Sequence, residues 1–250
     1  MREIDFNCDL GEGLDSDAAI LPHVSSANIA CGLHAGDAQC MQRTVALCLR
    51  HGVAIGAHPS LPDREGFGRR ELATTPAAVH ALTLYQVGAL HGFVAAAGAR
   101  LHHVKPHGAL YNLAARDRAI AAAIASAVAR FDAGLVLYAL SGSELARAGQ
   151  AEGLAVAHEV FAERRYEADG SLTPRSRPDA VIADIDMAAQ QIAQMLQAGA
   201  VTARTGESVP VRADTVCLHG DRADAALFAR RLRAAIEQAG YSVRALERGA

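Results

Sequence analysis

Short β-branched and aliphatic runs recur eight times along the chain, at Ile4–Cys8, Asn28–Cys31, Val53–His58, His102–His107, Leu135–Leu140, Ala155–Phe161, Thr215–His219 and Ser242–Leu246. Alanine-rich stretches with helical periodicity lie between most of them, at Asp37–His51, Pro76–Gly98, Arg116–Asp132, Ser143–Glu152, Asp179–Gly199 and Asp221–Ala239. Regular strand–helix alternation argues for a parallel sheet covered by helices. Seven or eight such units in 250 residues fit a closed, TIM-like (β/α) barrel of the α/β class better than an open sheet. No Pro/Gly/Ser-rich linker divides the chain, so residues 1–250 are read as one β/α-barrel domain. The connection from Leu10 to Ala27 is the least helical.

Charge is nearly balanced, 24 Lys plus Arg against 27 Asp plus Glu, with no block of like charge. Neither a nucleic-acid footprint nor a basic membrane patch is indicated. No apolar run has the length of about 18–20 residues that a membrane span requires, and strand-like sequence begins at Ile4, which predicts a cytoplasmic protein. The five cysteines, Cys8, Cys31, Cys40, Cys48 and Cys217, contain no C-x-x-C pair, so reduced thiols are expected. Among the 24 basic residues only Lys105 is a lysine.

Polar residues collect where the strands end. The first runs into Asn7, Asp9 and Glu12, the second into Asn28, Cys31, His34 and Asp37, and the third into His58. Lys105 and His107, with Tyr111 following, end the fourth; Glu159 ends the sixth; His219 and Asp221 end the seventh. In a barrel these ends share one face, the face that carries active sites in barrel enzymes. Singly, each has an ordinary reading, since an Asp before a helix is usually an N-cap; their joint occurrence points to a site. Two long loops leave the same face, Pro62–Arg70 and Glu163–Pro178, and loops of that length are commonly lids or binding loops. Their arginines, Arg64, Arg69 and Arg70 in the first and Arg164, Arg165, Arg175 and Arg177 in the second, have planar donor forks that suit a carboxylate or phosphate.

The blocks N-C-D-L-G-E, A-N-I-A-C-G-L-H-A-G-D, G-A-H-P-S, G-F-G-R-R, V-K-P-H-G-A-L-Y-N, E-V-F-A-E-R-R-Y, L-T-P-R-S-R-P-D-A-V-I and L-H-G-D occur in order from Asp5 to about Asp221. In them the chain resembles the LamB/YcsF family, which is identified with the A component of the bacterial ATP-dependent 5-oxoprolinase. The resemblance implies a barrel similar to deacetylase-like barrels. It also implies opening of the lactam of 5-oxo-L-proline to L-glutamate, driven by ATP with its Mg ion, and partner subunits B and C. Homo-oligomerisation is left open. Leu33 and Leu61 stand where the family more often has aromatics.

Opening a lactam requires an activated water, a stabilised oxyanion and a protonated leaving nitrogen. Asp9, Glu12, His58, Lys105, His107 and Glu159 are the candidates for those tasks, without an assignment of acid and base. Asn7, Asn28, His34, Asp37, Tyr111, Arg164, Arg165, Arg175, His219 and Asp221 are the candidate substrate-binding residues. The chain has no G-x-x-x-x-G-K-[ST] loop, so ATP is expected on one of the partners. A metal-dependent, deacetylase-like hydrolase is the enzymatic alternative, with Asp9, His34, His58 and His107 as possible ligands. Cys31 as a nucleophile is a third reading, and a protein that only binds substrate for its partners is the non-catalytic one. Lys105, following a strand and restrained by Pro106, is expected to be functional as a compact point charge.

Overall fold

The computed structural model describes residues 2–222 and 224–249. Its first half contains β1 (Arg2–Leu10), α1 (Asp17–Ile20), β2 (Ser26–Ala30), α2 (Ala38–His51), β3 (Ala54–His58), α3 (Pro76–Ala96), β4 (His103–Val104), α4 (Gly108–Arg116) and α5 (Arg118–Phe131). The second half contains β5 (Val136–Leu140), α6 (Glu144–Ala151), β6 (Ala155–Phe161), α7 (Ile185–Ala198), β7 (Ala200–Thr202), β8 (Ser208–Pro210), β9 (Thr215–His219), α8 (Ala225–Gln238) and β10 (Tyr241–Val243). Strands β1 to β6 pair in sequence and in parallel, and β9 closes the ring between β6 and β1. The barrel therefore has seven strands. The eighth strand expected from the sequence lies outside it, pairing only with Arg2–Ile4 of β1.

Caps explain most helix boundaries. Asp37 accepts from the Cys40 amide to start α2, and Gly52, at φ 65°, ends it. Thr75 caps α3 with Pro76 in the first turn. The helix expected over Arg116–Asp132 is α5, which the Asp117 carboxylate starts by accepting from the Ala119 and Ile120 amides; α4, just before it, is a further helix that the sequence pattern does not mark. Helix α7 starts at Ile185, not Asp179. Asp184 caps it, and the preceding segment is extended, with the Ile182 amide donating to Glu163 O at 2.8 Å. The antiparallel β7–β8 hairpin is not foreshadowed by the strand pattern of the sequence.

Strand alternation divides β1 cleanly. Ile4, Phe6, Cys8 and Leu10 belong to the apolar core, whereas Asp5, Asn7 and Asp9 are buried polar residues directed to the barrel axis. Barrel interiors are commonly filled by branched apolar side chains; this one is filled by hydrogen-bonded polar layers. In the lowest layer Asp5 accepts from the hydroxyls of Ser25 and Ser26, each at 2.6 Å, and of Thr215 at 2.5 Å. Above it the Asn28 amide donates to Asn7 Oδ1 at 2.7 Å, and His103 Nε2 meets Asn28 Oδ1 at 2.8 Å. Buried polar groups are tolerable only when paired in this way. Gly56 is required beside this layer, since a Cβ there would stand 2.1 Å from the His103 ring.

Candidate active site

The polar column ends at Lys105, which follows β4 and is 2% exposed. Its Nζ lies 2.8 Å from Asp9 Oδ1, 2.9 Å from Glu159 Oε1, 3.2 Å from Asn7 Oδ1 and 2.9 Å from Cys217 Sγ. The Phe161 ring centroid is 5.4 Å away. Burial alone would lower the lysine pKa, but Asp9, Cys217 and Glu159 together hold it well above the ordinary lysine range. Lys105 is therefore an ammonium whose donors are all engaged. Its contacts make it a positioning charge for Asp9 and Glu159.

Each carboxylate beside it is held on a second side. Asn7 donates to Glu159 Oε1 at 3.0 Å, and Tyr111 OH donates to Glu159 Oε2 at 2.7 Å. Asn28 donates to Asp9 Oδ1 at 2.8 Å. Asp9 Oδ2 keeps only histidine neighbours, His58 Nε2 at 3.3 Å and His219 Nε2 at 3.9 Å. Burial would raise the Asp9 pKa, but its neighbours His58 and Lys105 outweigh it and hold it well below the usual range. Asp9 is thus an ionised carboxylate with one oxygen free of the lysine.

His58 Nδ1 lies 2.7 Å from Lys105 O, and His107 Nε2 lies 2.8 Å from Phe67 O. The other ring nitrogens of these two histidines face one another at 2.9 Å. His34 stacks on His107, centroids 3.8 Å apart, and both of its ring nitrogens are buried without a hydrogen-bond partner. Burial lowers its pKa to about 3. Glu12 Oε1 stands 3.5 Å from His34 Nε2, and burial, reinforced by Asp9, raises the Glu12 pKa well above the ordinary value. One ligand atom each from Glu12, His34, His58 and His107 lie within 4.8 Å of one another. The Pro62–Arg70 loop covers this group. Its Phe67 has φ 54°, and Gly68, at φ 66°, leaves no room for a side chain against His107 and His34.

Asp9, His58, Lys105, His107 and His219 line a cavity of about 260 Å³, with Tyr111 and Phe161 on its walls and Arg69, Arg164 and Arg175 from the two long loops. Such a volume suits a small, compact ligand. Arg164 is buried; it donates to Thr173 O at 2.6 Å, while its Nε has no partner. Burial lowers its pKa to about 10.

A model of the LamB/YcsF family matches residues 4–250. The chain belongs to the LamB/YcsF family. A relative from Methylococcus capsulatus, named as the A component of 5-oxoprolinase, is 57% identical over 250 residues, 98% of this chain and 96% of that protein. The crystal structure of a lactam utilization protein from Thermus thermophilus superimposes with a TM-score of 0.90 at 48% identity, covering 98% of this chain and 100% of that one. A family 4 carbohydrate esterase from Streptomyces lividans, 12% identical, shares the fold with a TM-score of 0.52, covering 100% of this chain and 97% of its own.

In this LamB/YcsF chain the residues expected at the site fall into three groups. Asp9, His58, Lys105, His107, Tyr111, Arg164, Arg175 and His219 line the cavity. Asn7, Asn28 and Glu159 are buried among the polar layers and hold Lys105 and Asp9 in place, while His34 and Glu12 lie beside His107. Three are displaced from it. Asp37 is the exposed cap of α2, Arg165 is only half-buried and ties its loop to Ala180 through its backbone, and Asp221 pairs with Arg69 outside the cavity. Arg177 is likewise turned away, paired with Asp179 at 3.0 Å.

Cys31 is no nucleophile. Burial pushes its thiol to about 12, and its S–H donates to Ile29 O at 3.2 Å. All five cysteines are free and buried. Among the described residues no helix is long and apolar enough to cross a membrane.

Two residues at the site are not marked by the sequence. Cys217 contacts Lys105, and Glu163 accepts from the His219 amide at 3.0 Å and also meets His219 Nδ1. Arg69, one of the arginines of the Pro62–Arg70 loop, lines the cavity. The period-2 polar series Asp5, Asn7, Asp9 is the legible signal for the interior layers.

Proposed function

We propose that this chain is the A component of a 5-oxoprolinase, the protein in which the five-membered lactam of 5-oxo-L-proline is bound and opened to L-glutamate. The observation that carries this reading is the free oxygen of Asp9. It faces His58 and His219 in a small cavity whose lining includes Arg69, Arg164 and Arg175. An ionised carboxylate backed by imidazoles supplies the base that hydrolysis requires, and arginines in the lining suit a carboxylated ring. The relatives' name supports the same substrate.

In this reading Arg164 and Arg175 take the substrate carboxylate, and the amide carbon lies toward Asp9. Asp9 and His58 hold the attacking water, while Lys105 fixes Asp9 and Glu159 without donating to substrate. Tyr111, already donating to Glu159, holds the far wall. ATP with Mg binds on the partner subunits B and C, since no phosphate-binding loop occurs in this sequence. Activation of the amide oxygen by phosphoryl transfer turns it into a leaving group before water attacks.

The test is reconstitution. The chain mixed with subunits B and C, ATP, Mg and 5-oxoproline is expected to yield glutamate together with ADP, and the chain alone is expected to yield none. Silence of the complete mixture overturns the assignment; vigorous ATP-independent turnover by the isolated chain overturns the division of labour.

Arg175→Ala in that mixture is expected to raise KM with little change in kcat, by roughly 2–4 kcal/mol for a desolvated ion pair. Arg177→Ala, outside the cavity, is expected to leave both constants unchanged. Equal effects of the two substitutions would show that the loop contributes charge without a specific contact.

A further inference from the structure

The tautomers of His58 and His107 are set by their outer hydrogen bonds. A carbonyl only accepts, so His58 carries its hydrogen on Nδ1, toward Lys105 O at 2.7 Å, and His107 carries its hydrogen on Nε2, toward Phe67 O at 2.8 Å. In the neutral rings His58 Nε2 and His107 Nδ1 are then bare lone pairs, and they face each other at 2.9 Å. Two acceptors at that distance require an electrophile between or beside them. His34, 1% exposed, has no partner on either nitrogen, and Glu12 Oε1 lies 3.5 Å from His34 Nε2 and 3.9 Å from His107 Nδ1.

We infer that Glu12, His34, His58 and His107 form a binding site for a divalent transition-metal ion of the zinc class. Bonds of about 2.0–2.2 Å in a tetrahedral site place ligand atoms about 3.3–3.5 Å apart. Three of the six separations, 2.9, 3.5 and 3.9 Å, bracket that value, and all six are within 4.8 Å. Three imidazoles and one carboxylate form a borderline donor set that favours zinc or cobalt over calcium and magnesium. The outer bonds of His58 and His107 to carbonyls are the arrangement that orients metal-ligating imidazoles. His34 is stacked parallel to His107, with planes at 6°, so its ring must turn to aim Nε2 at the same point. With neither nitrogen bonded, no hydrogen bond opposes that turn. The rival occupant is a proton on His58 Nε2, donated to His107 Nδ1 at 2.9 Å with Asp9 Oδ2 at 3.3 Å; it accounts for His58 and His107 and leaves His34 and Glu12 without a role.

Metal binding at this site is independent of the oxoprolinase reading, because it is measured without turnover. The full chain, stripped with a chelator and dialysed, is titrated with Zn²⁺ and separately with Co²⁺, followed by calorimetry and by the visible absorption of the cobalt form. One ion per chain is expected, with the intense visible bands of a tetrahedral site. Zn²⁺ should shift the ¹⁵N resonances of His34 Nε2, His58 Nε2 and His107 Nδ1 and no other imidazole nitrogens. His34→Gln and Glu12→Gln, both checked for native circular dichroism, are expected to bind at least about a hundredfold more weakly. Absence of binding at high micromolar metal overturns the proposal. So does an imidazolium signature on His58 that zinc does not displace, or affinity unchanged in both variants.

Discussion

Lys105→Met is expected to abolish glutamate formation by the reconstituted enzyme and to lower the unfolding free energy by about 3–5 kcal/mol, the cost of breaking a buried ion pair from one side. The ammonium is 2% exposed and sits 2.8 and 2.9 Å from two buried carboxylates. Without it Asp9 and Glu159 share one low-dielectric space uncompensated, and protonation of one of them is the only relief. Turnover is expected to fall at least about a hundredfold, because Asp9 then loses the charge that keeps it ionised. Lys105→Arg does not escape this. A guanidinium is larger than the niche between Asn7, Asp9, Glu159 and Cys217, and overpacking of that kind costs about 1–3 kcal/mol. From the sequence alone arginine carries the charge without replacing the compact ammonium in activity; the packing around Nζ extends that loss to folding. Urea unfolding and initial rates on both variants test it. A Met variant as stable as the parent would show that Lys105 contributes no net pairing energy.

Asp9→Asn is expected to fold, to assemble with the partner subunits, and to lose turnover by about 10²–10⁴-fold, the range for removal of a general base. Asparagine has the shape of aspartate, and its oxygen can still accept from Lys105 and Asn28, which now meet Asp9 Oδ1 at 2.8 Å each. Its amide nitrogen would replace Oδ2, 3.3 Å from His58 Nε2, a lone pair that takes a donor. The geometry thus survives while the base is removed. Preserved assembly with lost turnover separates a catalytic protein from one that only binds substrate. Full turnover by the variant would move the chemistry away from Asp9 and favour the non-catalytic reading.

Much of the fold is legible in the sequence because its determinants are local. Asp37, Thr75 and Ser143 mark helix starts, each side chain accepting from an amide three residues on. Alternation within β1 separates Ile4, Phe6 and Cys8 from Asp5, Asn7 and Asp9 before any contact is known. Where the expected boundaries differ from those observed, the causes are also local. Asp117 caps α5 and so separates it from α4, which the pattern does not mark, and Asp184 delays α7 past a segment that pairs with the Glu163 loop instead.

The sequence by itself indicated that Asp9, His58, Lys105, His107 and Glu159 would gather near one end of a barrel, because each lies in the C-terminal half of a parallel strand or just beyond it. Which of these groups is free and which is spent was decided only by the tertiary structure. Lys105 is enclosed by four partners, Asp9 keeps one open oxygen, Arg175 reaches the cavity while Arg165 and Arg177 do not, and His34 is left with two unpaired nitrogens. Those outcomes depend on contacts between residues far apart in the chain, such as Asn7 with Asn28 and with Glu159. Strand alternation fixes the face a side chain takes. Barrel closure and register, through the stagger of β1 against β2 and β9, fix which polar atoms come within hydrogen-bonding distance, and a hydrogen bond is lost over a few tenths of an ångström.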